Sequence, residues 1–265
     1  MRMEDLDPDR SRAAYAEAAL EDLRWLGIRW QEGPDIGGPF APYAQSGRGP
    51  VYLEAWRMLQ SGGFLYPCRC SRKDLESALA APHESASTGA QASPTPDPLD
   101  DEPIYPGTCR PQQGSSEQVL ESGANRIDKA EGFHWRFRVN DGEAIEFEDR
   151  NLGKQRFVAG RDFGDFVVWR RDGGPSYQLA CVADDAAMNV TEVVRGADLL
   201  KSTARQILLN RALSLPNPDW FHCGLVVDSN GRRLAKRHDS LSLRTLRQRG
   251  FSPMNILSGE LPVEV

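Results

Sequence analysis

Tyr177-Gln178-Leu179-Ala180-Cys181-Val182-Ala183-Asp184-Asp185-Ala186-Ala187-Met188-Asn189-Val190-Thr191-Glu192-Val193-Val194-Arg195-Gly196 joins a small, apolar run around two adjacent aspartates to a short β-branched run that ends in an arginine and a glycine. The second half, Val190 to Val194, reads as a buried strand at the point where it leaves a sheet. In open parallel sheets ligands gather beyond the carboxyl ends of the strands, so Arg195 stands where a fixed cation holds a carboxylate or phosphate. Taken alone, the same arginine reads equally well as a surface salt-bridge partner.

Outward from this stretch the chain alternates helical and extended patterns. A helix is predicted after Asp9 or Ser11, with Tyr15, Ala19, Leu23 and Leu26 inward and Gly27 as its stop. Pro50 opens another, with Tyr52, Ala55, Trp56 and Leu59 on one face and Gly62-Gly63 ending it. Phe64 to Tyr66 reads as a short strand, and Ser71 with Asp74 as the cap of a short helix. From 81 to 103 the composition shifts to Ala, Ser, Thr, Pro and Asp, the signature of a disordered segment or surface loop. Trp135, Phe137 and Val139 then alternate with His134, Arg136 and Arg138, and Ile145 and Phe147 with acidic residues, which predicts antiparallel strands. Beyond the central stretch, Ser202 or Thr203 is the expected cap of a helix with Ala204, Ile207, Leu208, Ala212 and Leu215 inward.

Composition narrows the classes. At 265 residues and 40% hydrophobic content the chain can bury a sizeable core. Its apolar runs fall short of the roughly 18 residues of a membrane span, and the polar, acidic start is unlike a signal peptide, so the expected location is cytoplasmic. A formal charge of −6 argues against a basic coat for nucleic acid but leaves room for the local cluster of Arg232, Arg233, Lys236, Arg237, Arg244, Arg247 and Arg249. Asp5, Asp7 and Asp9 imitate a calcium loop, but Arg10 and Ala16 stand where its glycine and closing glutamate belong. Asp162-Phe163-Gly164 copies a kinase tripeptide without the loops that should precede it.

The five cysteines are odd in number and unevenly placed, which favours metal binding or burial over disulfides. Cys68, Cys70 and Cys109 are enough to hold zinc if a fourth ligand completes the tetrahedron. Tyr105 could supply it, but a phenolate is an unusual zinc ligand, so the residues alone favour His83, a water or no fourth ligand. Cys181 and Cys223 read as small buried residues, and His134, His222 and His238 as isolated.

The central stretch resembles a signature of the glutamyl-type class I aminoacyl-tRNA synthetases, in which Tyr-x-Leu-Ala leads through Asp-Asp and a Val-Thr-(Asp/Glu)-Val strand to an arginine. Three further stretches repeat the resemblance in order: Arg2-Met3-Glu4-Asp5-Leu6-Asp7, Gly164-Asp165-Phe166-Val167-Val168 and Arg233-Leu234-Ala235-Lys236-Arg237. The resemblance implies an α/β fold: a Rossmann-type class I synthetase catalytic domain, N-terminally incomplete, with a zinc-bearing connective insertion. Its first part would be 1–66, the insertion 67–174 with the 81–103 loop, and its second part 175–265.

The same resemblance implies ATP, with Mg2+, as a substrate that activates glutamate. Glu4 would bind the substrate's α-amino group, Arg195 its side-chain carboxylate, and Tyr177 would close the pocket. Arg233 and Lys236 would grip the triphosphate, with Lys236 as the catalytic cation; Arg233 and Ala235 depart from the usual lysine and serine. Cys-x-Cys followed by Tyr-x3-Cys is similar to the zinc site of the glutamyl-queuosine tRNA(Asp) synthetases, which makes Tyr105 the implied fourth ligand of a closed, structural site. The family's His-x-Gly-His tetrapeptide is absent from the sequence. Either the true start lies upstream, as Met1 and Met3 inside a family motif favour, or half of the nucleotide site has been lost. With no anticodon-binding domain following the basic loop, the implied function is transfer of glutamate to queuosine in the anticodon loop of tRNA(Asp). The alternatives are a fragment of an ordinary glutamyl-tRNA synthetase and an inactive amino-acid or tRNA-binding module.

Overall fold

The computed structural model describes residues 1–7, 11–71, 73–75, 104–112, 130, 132–225 and 242–259. The 81–103 segment, His83, His238, Arg233 and Lys236 lie outside the described residues. In chain order the elements are α1 (Ala13–Trp25), α2 (Gly49–Ser61), β1 (Leu65–Cys68), β2 (His134–Phe137), β3 (Ala144–Asp149), β4 (Gly153–Val158), β5 (Phe166–Trp169), α3 (Tyr177–Ala187), β6 (Glu192–Gly196), α4 (Leu200–Ala212), β7 (Asp219–Cys223), α5 (Leu243–Gln248) and α6 (Pro253–Leu257). They fall into two units, one of Met1–Arg48 with Gly224–Val265 and one of Gly49–Cys223.

In the first unit α1 departs from its predicted facing. None of its residues is buried, and Tyr15 is 61% exposed. The face that meets α5 is that of Glu21 and Trp25, which at about 100° per residue lies roughly a quarter to a third of a turn round the helix from Tyr15. Glu21 accepts from Arg244 at 2.9 Å and Arg247 at 2.8 Å, and the Arg247 guanidinium lies over the Trp25 ring. Two cations of the basic cluster are therefore paired within their own unit.

In the second unit α2 follows its sequence signals closely. Its buried residues are Tyr52, Ala55, Trp56 and Leu59, the predicted stripe. Gly63, at φ +74°, turns the chain so that Phe64 N–H reaches the Leu59 carbonyl at 3.1 Å and Gly63 N–H the Gln60 carbonyl at 3.0 Å. That paired closure needs a residue tolerant of left-handed backbone. Trp56 packs edge-on to Trp135 with centroids 5.1 Å apart, and Phe64, Phe137 and Phe166 stack in series. These rings join α2 to the antiparallel sheet β1-β2-β5. Tyr52 also donates to the fully buried Asp184 at 2.8 Å, tying α2 to α3.

A second sheet has the order β4-β3-β7-β6. β6 and β7 run parallel with α4 between them, and β3 joins β7 in parallel at Asp149↔Trp220 while pairing with β4 antiparallel. The antiparallel hairpin predicted for the insertion thus extends the parallel sheet, covering an edge of β7 that would otherwise expose its peptide groups. The strand predicted at Val190–Val194 begins two residues later and lies at the sheet's edge, with Val194 60% exposed. Ser202 and Thr203 do not cap α4, which follows a 3-10 turn and has Leu199 at its cap position. Their hydroxyls are engaged sideways instead. Among the described residues no helix is long and apolar enough to cross a membrane.

Replacing Tyr52 by Phe removes a hydrogen bond to a buried carboxylate and is expected to lower stability by roughly 1.5–3 kcal/mol, read from the urea midpoint. A loss under about 0.5 kcal/mol would show that this bond does not hold α2 to α3.

Candidate functional site

Two clusters of chemistry-bearing side chains form within the second unit. The first stands at the carboxyl ends of β6 and β7. Arg195 and His222 are register partners on these adjacent parallel strands, so their side chains share a face with Val193 and Trp220. Arg195 Nε donates to His222 Nε2 at 3.2 Å, its Nη2 donates to Thr203 Oγ1 at 2.6 Å, and its guanidinium lies 5.1 Å from the Trp220 ring centroid. Three neighbours thus fix the cation that the sequence singled out.

Behind it His222, fully buried, bonds through Nδ1 to Asp149 Oδ2 at 2.6 Å. Asp149 also accepts from the backbone N–H groups of Asn151 at 3.0 Å, Leu152 at 2.8 Å and His222 at 3.1 Å. Burial alone would raise its carboxyl, but the His222 and backbone donors outweigh burial and hold it below its ordinary range. Burial lowers the His222 imidazole; Asp149 opposes that shift and Arg195 adds to it, and the net value lies below the usual one. The charged groups facing His222 are Asp149 on β3, Arg195 on β6 and Asp198 in the turn before α4. His222 is therefore not the isolated histidine its sequence context implied.

Tyr177 lies at the same end. It opens α3 behind the Ser176 cap and is 36% exposed. The next residue, Gln178, donates to Ser202 Oγ at 2.9 Å, which joins the first turn of α3 to the first turn of α4 beside Thr203. Glu4 belongs to the other unit. It follows an extended stretch in which Met3 exchanges backbone hydrogen bonds with Tyr43 and Gln45, and it pairs with Arg2 at 3.0 Å. A cavity of about 250 Å³ at the amino ends of β6 and β7, lined by Asp185, Gln206 and Asn217 among others, contains none of the predicted site residues.

The second cluster gathers Cys68, Cys70, Cys109 and Tyr105. The three sulfurs lie within 4.8 Å of one another, Cys70 and Cys109 at 3.6 Å. The Tyr105 hydroxyl is 3.5 Å from Cys68 and 3.8 Å from Cys70, and it accepts the Cys109 N–H at 2.7 Å. Ligands about 2.3 Å from one tetrahedral cation stand about 3.8 Å apart, so the four donors fit a small, soft divalent ion. Arg136, 3.8 Å from the Tyr105 ring centroid, braces the ring. Arg136 also donates to the Asp165 carbonyl at 2.9 Å, and the Asp165 carboxylate accepts from Tyr66 and from Val139 N–H. The Gly164-Asp165 motif thereby ties the cluster's scaffold together. Burial pushes the Cys70 thiol up to about 11. Burial opposes ionisation of Cys109 too, but donors from Arg69 N–H and Tyr105 bring it down to about 7.

Sequence reasoning missed Asp149, Thr203 and His222. A usable signal existed for two of them: in the alternating β3 and β7, Asp149 and His222 fall at buried positions, where an ionisable residue must have a partner.

Comparison with known proteins gives a consistent picture. The family model for the catalytic domain of class I tRNA synthetases (E and Q) matches residues 1–261. A glutamyl-Q tRNA(Asp) synthetase of Symbiobacterium thermophilum is 46% identical over 257 residues, 97% of this chain and 73% of that protein. Its counterpart in Nitratidesulfovibrio vulgaris is 42% identical over 268 residues, 99% of this chain and 76% of that protein. A glutamate–tRNA ligase of Nitrosococcus oceani is 42% identical over 253 residues, but this chain spans 49% of it. The crystal structure of a glutamate-tRNA synthetase from Elizabethkingia anophelis superposes with a TM-score of 0.67 at 24% identity, covering 94% of this chain and 46% of that one, which is a likeness of fold.

The Asp149–His222 pair sets a pH dependence of stability. Both groups have folded values below their ordinary ones of 3.8 and 6.5, so the unfolded chain binds more protons and stability falls with falling pH. The His222 contribution is present above pH 6.5 and is lost as pH drops through its lower folded value; the Asp149 contribution is lost further down, below pH 3.8. Urea midpoints against pH should show the first loss in the parent protein and not in His222→Gln.

Proposed function

This chain belongs to the class I tRNA synthetases (E and Q) through their catalytic domain, and from that premise we propose that it joins glutamate to tRNA through an ATP-activated intermediate. The observation that carries the reading is the immobilised Arg195 at the carboxyl ends of parallel strands, a cation suited to a substrate carboxylate. In this reading the Arg195 guanidinium takes the side-chain carboxylate of glutamate, Tyr177 presents its hydroxyl, and Glu4 takes the α-amino group. ATP enters with Mg2+, and Arg233 and Lys236 hold its phosphates while the α-carboxylate of glutamate, the one Arg195 does not hold, attacks the α-phosphorus and pyrophosphate leaves. Their charge offsets that building up on the phosphate oxygens. The three-part division at 66/67 and 174/175 belongs to the same reading.

The preferred acceptor is queuosine in the anticodon loop of tRNA(Asp). Two relatives of which this chain spans 73% and 76% carry the glutamyl-Q tRNA(Asp) synthetase name, and the Cys-x-Cys and Tyr-x3-Cys pattern resembles the zinc site of that kind of synthetase. In this reading Cys68, Cys70, Tyr105 and Cys109 hold zinc, whose part is to cross-link the end of β1 to the 104–112 segment.

Incubation with ATP, labelled glutamate and queuosine-bearing tRNA(Asp), followed by nuclease digestion, is expected to leave the label on the anticodon-loop fragment. Label on the 3′-terminal adenosine would identify an ordinary glutamyl-tRNA synthetase, and absence of label and of glutamate-dependent pyrophosphate exchange an inactive binding module. Arg195→Gln is expected to raise the glutamate KM by about a hundredfold, with the ATP KM little changed, since a charge-assisted pair at a half-buried cation is lost.

Purified protein is expected to carry about one equivalent of zinc, falling under about a tenth in Cys109→Ser. Parent protein at that low level would reject the site.

A further inference from the structure

Arg195 is held by an apparatus that the substrate reading does not require. A guanidinium has five N–H donors and no acceptor. Two are committed: Nε–H to His222 at 3.2 Å and one Nη2–H to Thr203 at 2.6 Å. These lie on the same side-on edge of the guanidinium plane. Among the described residues the end-on edge, Nη1 with the remaining Nη2 hydrogen, is what is left for a ligand.

The His222 tautomer follows from its other side. Asp149 receives backbone N–H groups from Asn151, Leu152 and His222, the environment of an ionised, accepting carboxylate, so Nδ1 of His222 must bear the proton in the 2.6 Å bond between them. Nε2 then presents a lone pair, the one arrangement compatible with Arg195 Nε–H at 3.2 Å, because an N–H on Nε2 would meet another N–H. Thr203 Oγ1, 3.0 Å from Nε2 and 3.4 Å from the Leu199 carbonyl, has an acceptor for its own proton while receiving Nη2–H.

We propose that His222 is a positioning residue: held by Asp149 as the neutral Nδ1–H tautomer, it accepts Arg195 Nε–H and, with Thr203, locks the side-on edge of the guanidinium, so that substrate carboxylate meets only the end-on edge. The identity of that carboxylate rests on the function proposed above; the positioning does not. Asp149 acts at one remove, by setting which imidazole nitrogen carries hydrogen. Its isosteric amide reverses the logic. In Asp149→Asn the amide oxygen still serves the backbone donors, the amide N–H faces Nδ1, and the ring proton moves to Nε2, opposite Arg195 Nε–H.

The test has two arms. In the first, imidazole nitrogen–proton correlation spectra of the 15N-labelled full chain at pH 7, with His222 assigned through His222→Gln, report the tautomer, and the Arg195 Nε–H resonance reports the lock. The expected result is the Nδ1–H form with a slowly exchanging Arg195 Nε–H, and in Asp149→Asn the Nε2–H form with that resonance lost to exchange. A parent imidazole in the Nε2–H or imidazolium form, or an unaltered Arg195 resonance in Asp149→Asn, would overturn the proposal.

In the second arm, calorimetric binding of glutamate is expected to weaken about tenfold in Asp149→Asn and His222→Asn, the scale of a lost hydrogen bond to a charged group. In His222→Gln, whose amide oxygen can take the place of Nε2, the change should stay within about threefold. Equal losses in His222→Gln and His222→Asn, matched by equal falls in melting temperature, would reduce His222 to a structural role and overturn the proposal. Parent protein that shows the predicted tautomer and lock but has no affinity for glutamate would sustain the positioning and refute the substrate reading.

Discussion

A carboxylate buried beside an imidazole is the constraint on which the rest of the second unit depends. Asp149 is 1% exposed, and its charge survives only because three backbone N–H groups and His222 surround it. Removing such a group from water without partners costs several kcal/mol, so the turn after β3, the pairing of β3 with β7 and the orientation of His222 are fixed together. The sheet order β4-β3-β7-β6 is thus held by a polar lock as well as by peptide ladders. From that lock hydrogen bonds run outward through His222 to Arg195 and Thr203, and the neighbour of Thr203 on α4, Ser202, separately accepts from Gln178 on α3.

The cysteine cluster rests on a parallel arrangement. Asp165, 5% exposed, gathers Tyr66, Val139 N–H and Arg110, while Arg136, also buried, has its guanidinium over the Tyr105 ring. Cation and ring support each other, and the ring sets its hydroxyl among the sulfurs. The hydroxyl accepts the Cys109 N–H, so the phenol oxygen is aimed by a main-chain group rather than left to rotate. The two clusters are braced alike but not identically: the Asp149 carboxylate itself orients His222, whereas Arg136 is held by the Asp165 backbone carbonyl while the Asp165 carboxylate fixes Tyr66 and Val139 N–H.

How much of this was legible beforehand can be judged residue by residue. The α2 stripe and its glycine closure were readable because periodicity and left-handed backbone are local properties. The reciprocal capping of Ser71 and Asp74, at 2.7 and 3.2 Å, was equally local. The inward face of α1 was misread because an alanine-rich helix has a weak apolar stripe, and the pairing of Glu21 with Arg244 and Arg247 joins residues more than 220 positions apart. Ser202 and Thr203 have the chemistry of caps, yet their hydroxyls found better partners across the packing.

Taken by itself, the order of residues determined which groups are present and how they are spaced: Cys-x-Cys, Tyr-x3-Cys, an arginine at the end of a β-branched run, and an Asp-Asp pair preceding it. That was enough for the family and for singling out Arg195 as a candidate. Only the tertiary structure decided what each group faces. Asp184 turned to Tyr52, Asp149 to His222, and His222 to Arg195, across 132, 73 and 27 positions of chain. The physical reason is that a buried polar atom must find a partner wherever packing brings one within about 3 Å, and packing is a property of the whole folded chain rather than of any window along it.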